Sequence, residues 1–127
     1  MNITNRAAAP RYSRDGIESF LLVSRKTTGS GNLSVTLVEM EPGGFQHLHS
    51  HEQEQAYYII EGEGTLSVNN EERRVTGGDC VFIPSFARHG LKNTGNTPLK
   101  YVSACSPSFT TRECEELWPL KSLSETR

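Results

Sequence analysis

Turn residues punctuate this chain at short intervals, and nothing longer than a strand fits comfortably between them. Pro42-Gly43-Gly44, Gly62-Glu63-Gly64, Asn69-Asn70, Gly77-Gly78-Asp79, Pro84 and a Gly/Asn/Pro-rich loop at 94–98 follow one another through the middle of the sequence. Strand-length stretches lie between them, at 33–40, 56–61, 65–68, 72–76, 80–83, 89–93 and 99–105. Residues 33–40 alternate clearly: Leu33, Val35, Leu37 and Glu39 share one face, and Ser34, Thr36, Val38 and Met40 share the other. A period of two is the signature of a strand with two unlike faces. With no sustained 3.6-residue periodicity, the rhythm argues for an antiparallel sandwich or barrel.

The ends read differently. Residues 1–16 are polar, carry Arg6, Arg11 and Arg14, and show no periodicity; they are expected to form a loose arm that orders only against something else. An apolar run at 17–24 and a Gly/Ser/Thr turn at 27–32 lead into the alternating region. Near the C-terminus, Thr110 and Glu113 have capping-box spacing, which predicts a short helical turn through Trp118 that Pro119 stops. Trp118 would pack on the barrel exterior or at a subunit contact. The expected organisation is an arm at 1–16, a barrel at 17–109, and a short helix and tail at 110–127.

Composition narrows the function classes. A chain of 127 residues makes about one domain. Its formal charge of −2 offers no attraction for nucleic acid or an anionic membrane. No stretch approaches the ~20 apolar residues of a membrane span, and the N-terminus lacks the apolar core of a secretory signal. Cys80, Cys105 and Cys114 are odd in number and form no CxxC. They read as reduced thiols of a cytoplasmic protein, with Cys80 and Cys105 as small core residues.

Chemistry concentrates in one segment. Histidines alternate at 47, 49 and 51. In an extended chain His49 and His51 project from one face, and two adjacent imidazoles are half of a metal site. His89 offers a third imidazole from a later stretch. His47 shares the parity of this pair and is expected nearer the cavity rim, hydrogen-bonded in support. Glu52 and Glu54 read as solvated loop residues. Tyr57 is expected to point inward with its hydroxyl satisfied, with an acid/base role as the lesser option. Arg88 should face solvent, and Tyr101 is a candidate for the cavity wall.

Two motifs in these stretches resemble those of the cupins. The first runs Gly43, five residues, His49-Ser50-His51, then Gln55, then Gly62, with glutamine where the family usually has glutamate. The second runs Gly78, Pro84, His89, Asn93, with Phe86 where an internal glycine is usual. Fifteen residues separate them, a short spacing similar to that of small microbial single-domain cupins. The resemblance covers roughly residues 33–105. It implies an all-β double-stranded β-helix (a jelly-roll barrel), one divalent ion held by His49, His51, Gln55 and His89, and commonly a homodimer. An N-terminal arm pairing with a partner's sheet edge occurs in many cupin dimers and would protect an open strand.

The glutamine changes the expected chemistry. Three imidazoles and an amide leave the ion at a formal +2, where a carboxylate would leave +1, so the site should attract anions more strongly. His47, His49 and Glu54 are an alternative ligand register that restores a carboxylate; the position of Gly62 favours Gln55. The His-His-Gln-His set is similar to that of pectin-degradation cupins. The resulting expectation is a metal-dependent isomerase or lyase acting on a small anionic metabolite, such as a sugar acid or carboxylate. An iron-dependent dioxygenase and a non-catalytic ligand-binding cupin are the alternatives. The ion itself, manganese, iron, nickel, copper or zinc, is left open by such ligands.

Overall fold

The structure, a computed structural model, describes residues 1–110. In chain order its elements are β1 (Arg11–Arg14), β2 (Ile17–Val23), the single helical turn α1 (Arg25–Thr28), β3 (Ser34–Met40) and β4 (Glu54–Glu61). There follow β5 (Glu63–Val68), β6 (Glu71–Thr76), β7 (Cys80–Ile83), β8 (His89–Lys92) and β9 (Leu99–Ser106). All paired strands are antiparallel, in a six-stranded sheet ordered β1-β2-β3-β9-β4-β7 and a three-stranded sheet ordered β6-β5-β8. One core joins the two sheets: Val38, Met40, Tyr57, Ile59, Leu99 and Tyr101 from the first meet Leu66, Val75 and Leu91 from the second. This is the expected all-β jelly-roll barrel. No helix among the described residues is long and apolar enough to cross a membrane.

Two glycines show how the barrel closes at the end away from the histidines. Gly62 takes φ 90° between β4 and β5, and the backbone of Pro98 and Leu99 lies where its side chain would be. At Gly64, a Cβ would sit 2.9 Å from Leu99 Cδ2 and 3.2 Å from Leu91 Cδ1. Only a residue without a side chain lets the strands and these leucines approach so closely.

The inner face of β3 is the polar-looking one. Ser34, Thr36, Val38 and Met40 are buried, whereas Val35 and Leu37 are half-buried on the outer face. Hydrophobic count alone would choose the other face. The Thr36 hydroxyl is inside because this stretch of wall lines a cavity as well as a core, and the Ser34 hydroxyl because it bonds Ser108 Oγ at 2.8 Å and receives from Phe109 N at 3.1 Å.

Several expectations need correction. Residues 11–14, expected within a loose arm, form β1 and pair with β2 of the same chain, joined by Asp15-Gly16. Both turn residues have positive φ, 52° and 79°, the geometry of a tight two-residue hairpin in which Asp-Gly is favoured. Further out, Arg6 makes a bidentate ion pair with Glu39, at 2.7 and 2.8 Å, and its guanidinium lies 4.4 Å from the centre of the Phe20 ring. Tyr12 and Ala9 are buried beneath this arm. Cys105 is buried as expected, but Cys80 is exposed, because it points outward from the edge strand β7. The turn expected at 27–32 begins as α1, which Ser24 caps by accepting from Thr27 N at 3.1 Å. The helical turn expected from Thr110, with Cys114 and Trp118, lies outside the described residues.

Candidate metal centre

His49 and His51 lie on the connection between β3 and β4, and His89 opens β8 in the smaller sheet. Reciprocal backbone hydrogen bonds of 3.0 and 2.9 Å lock His49 directly opposite His89. His51 is held by the next loop, whose Phe86 N–H donates to the His51 carbonyl at 2.8 Å and whose Ser85 hydroxyl bonds the Glu52 carbonyl. The three rings converge: centroids are 4.3 Å apart for His49–His89, 5.0 Å for His51–His89 and 5.4 Å for His49–His51. One nitrogen from each lies within 4.8 Å of the others.

Each ring is fixed in the same way. Nδ1 of His49, His51 and His89 lies 2.8, 3.0 and 2.8 Å from the carbonyl oxygens of His47, Gln53 and Ala87. A carbonyl only accepts, so each Nδ1 carries the proton and each Nε2 presents a lone pair. His89 is fully buried, and its Nε2 has no hydrogen-bond partner among the described residues. Burial pushes the His89 imidazolium down to about 4, and burial likewise lowers His49. Both are therefore neutral at pH 7, the form that ligates metals.

Gln55 comes from β4 with its side chain inward. Its Nε2 donates to Ser103 Oγ at 3.0 Å, and its buried Oε1 has no hydrogen-bond partner among the described residues. Glu54 is exposed on the opposite face, as strand alternation requires. His47 also stands apart from the cluster: its Nε2 is 3.0 Å from Asp15 Oδ2, and its ring edge meets Phe45 with centroids 4.9 Å apart. A partnerless buried acceptor on Gln55, which lines a cavity with His49 and His51, and another on His89, whose ring meets both of theirs, are what a cation would satisfy. The residues present fit a divalent ion.

The cavity they line is about 250 Å³. Among the described residues lining it, Asp15 is the only carboxylate, and it sits at the mouth beside Arg14 and His47. Deeper in, Tyr57 and Tyr101 stack with centroids 4.6 Å apart, bridged by Gln46, which receives from Tyr57 at 3.4 Å and donates to Tyr101 at 3.2 Å. Burial pushes the Tyr57 hydroxyl up to about 12 and Tyr101 well above its ordinary value, so both keep their protons. Phe109, beyond β9, closes edge-on against His51 with centroids 5.2 Å apart. Asn93 of the second motif is structural: its Nδ2 donates to Met40 O and Thr97 O, both at 2.9 Å. Phe86 stands in the motif's glycine position with φ 63° and its ring exposed.

Asp15, Arg14, Gln46 and Phe109 at this site had no place in the sequence reading. For the first two a signal existed, since Asp-Gly between strands marks a tight hairpin. Gln46 and Phe109 carry no comparable sequence signal.

Residues 36–105 match a family model described as "Cupin domain". The chain is 30% identical over 99 residues to the oxalate-binding protein of Thermotoga maritima, covering 77% of this chain and 82% of that one. It is also 30% identical over 106 residues to the tetracenomycin polyketide synthase protein TcmJ of Streptomyces glaucescens, covering 83% and 70%. Among solved structures, a "predicted oxalate decarboxylase" from Thermotoga maritima superposes with a TM-score of 0.74 at 23% identity, covering 84% of this chain and 99% of that one. At that identity the likeness speaks for the fold.

Proposed function

This chain belongs to the cupin domain family, and from that premise we propose a divalent-metal-dependent enzyme acting on a small carboxylate. In this reading His49, His51, Gln55 and His89 hold the ion, and the reaction is of isomerase or lyase type. The observation that carries it is the donor set: three Nε2 lone pairs oriented by Nδ1–carbonyl bonds, and one amide oxygen, with Asp15 at the mouth the only carboxylate among the described residues that line the cavity. The bound ion would act as a Lewis acid toward a carbonyl or carboxylate oxygen.

The chain's own residues supply the rest. The neutral donors leave the cation's charge uncompensated, which favours an anionic ligand. Tyr57 and Tyr101, held protonated by burial, each keep an O–H donor at neutral pH with which to orient an oxygen of the substrate. Phe109 and Phe45 narrow access for water. The likeness to an oxalate-binding protein supports a small dianion or monoanion as ligand.

A second reading takes the aromatic lining, Phe45, Tyr57, Tyr101 and Phe109, and the likeness to a polyketide synthase protein as support for a larger ring-bearing ligand. The cavity volume favours the first, because drug-sized ligands occupy pockets of roughly 300–1,000 Å³. A second copy of the chain would find an apolar seat on the outer face of the larger sheet, where Tyr58, Ile60 and Phe82 are exposed. The exposed, unpaired Cys80 agrees with a reducing, cytoplasmic setting.

Metal analysis of the purified protein beside Gln55→Ala, Glu54→Ala and His89→Ala tests the ligand set. The proposal expects one divalent ion per chain in the wild type and in Glu54→Ala, and loss of it in the other two. Metal loss from Glu54→Ala with retention in Gln55→Ala would overturn it.

A further inference from the structure

The wall of the cavity facing away from the imidazoles is hydroxylated where a packed barrel would be aliphatic. On the inner face of the larger sheet, Ser103 of β9 pairs with Thr36 of β3, and Ser19 of β2 lies one diagonal step further along. Gln55 stands diagonally on the other side of Ser103 and is hydrogen-bonded to it. Ser19, Thr36 and Ser103 are all buried and all line the cavity. The Ser19 hydroxyl, 1% exposed, finds no hydrogen-bond partner among the described residues. A buried hydroxyl left unmatched is unfavourable, whereas alanine in its place would fit a β-barrel wall at no such penalty.

We propose that Ser19, with Thr36 and Ser103, forms a subsite for the hydroxyl groups of the ligand, so that the site selects hydroxylated carboxylates over unsubstituted ones of equal length. The inference rests on the metal-centre reading above: the carboxylate is anchored at the histidine and glutamine donors, and the polar strip that starts at Gln55 runs from that anchor to Ser19. Each diagonal step along the strip is about 7–8 Å; one ligand can reach from Gln55 to Ser19 because the curved wall brings both to the same cavity of about 250 Å³. At about 30 Å³ per water, the cavity has room for roughly eight water-sized groups, enough for an acid of about four to six carbons. Ser19 is then a specificity residue: it touches the far end of the ligand and leaves the anchored end alone.

Calorimetric titration of the manganese-loaded wild type and Ser19→Ala with oxalate, gluconate and hexanoate tests this. Gluconate and hexanoate share a six-carbon chain and differ in their hydroxyls. The wild type should bind oxalate, and should bind gluconate more tightly than hexanoate. Ser19→Ala should weaken gluconate about three- to tenfold, the loss expected for one neutral hydrogen bond, and leave oxalate and hexanoate unchanged. The metal-free variant should melt no lower than the wild type, because no protein hydrogen bond is removed. If hexanoate binds as well as gluconate, or Ser19→Ala leaves gluconate untouched, the subsite is wrong while the metal centre stands. If the variant melts lower and all three ligands weaken together, Ser19 is structural and the subsite is again wrong. Absence of oxalate binding to the wild type overturns the metal-centre reading, and the subsite with it.

Discussion

The two ends of this barrel are built on the same strands and obey different rules. At the closed end, Met40 and Leu99 of the larger sheet meet Leu66, Val75 and Leu91 of the smaller one, with Gly64 admitting the close approach. At the open end the same strands carry Gln55, Ser103, Thr36 and His89 inward. The first set is satisfied by packing alone. The second leaves acceptors on His89 and Gln55 and a hydroxyl on Ser19 buried without partners. Two or three residues of strand separate a region that stabilises the fold from one that leaves buried polar groups unmatched among the described residues.

That contrast can be broken from either side. The largest effect should come from Leu99→Ala, which removes a fully buried side chain at the closed end. It should cost about 2–5 kcal/mol in denaturant unfolding and leave metal content per folded molecule unchanged. If metal is lost with it, the two ends are not separable. Next, a divalent ion at 100 times its dissociation constant should raise wild-type stability by about 2.7 kcal/mol. The same addition should leave the melting temperature of His89→Ala unmoved.

Acid should act at the open end. His89 titrates near 4 when folded and near 6.5 when unfolded, so the unfolded chain binds more protons between those values. The metal-free protein should therefore keep this stability above pH 6.5 and lose it progressively as pH falls toward 4. A metal-free melting temperature that is flat across that window would contradict the burial of a neutral His89. The smallest change should come from Phe86→Gly, at the left-handed position of the loop that holds His51. Relief of backbone strain should exceed the added chain entropy and stabilise the protein by about 0.5–1 kcal/mol in the same unfolding assay.

The closed end and the open end were not equally legible in the sequence. Period-two alternation and turn residues located most strands, and the paired motifs located His49, His51, Gln55 and His89 on facing walls. Alternation also separates Gln55 from Glu54, since adjacent strand residues face opposite ways. Which face of β3 turns inward was not legible, because Thr36 is buried against a cavity and Ser34 against Ser108 and Phe109, neither of which composition announces. Asp15 reached the site through an Asp-Gly hairpin whose signal lay in an apparently featureless arm. Cys80 was misplaced because an apolar run at a sheet edge has an exposed side like any other. Gln46 and Phe109 sit outside regular strands, where no periodicity reports which way a side chain points.

A neutral ligand set, as proposed above, should draw an anion to the cavity. Gln55→Glu tests it most directly, by adding one negative charge at a single atom pair, with metal content and oxalate affinity measured on the same preparation. The variant should keep its divalent ion and bind oxalate at least tenfold more weakly than the wild type, a loss of about 1.4 kcal/mol or more. Unchanged oxalate affinity in a variant that retains its metal would contradict it.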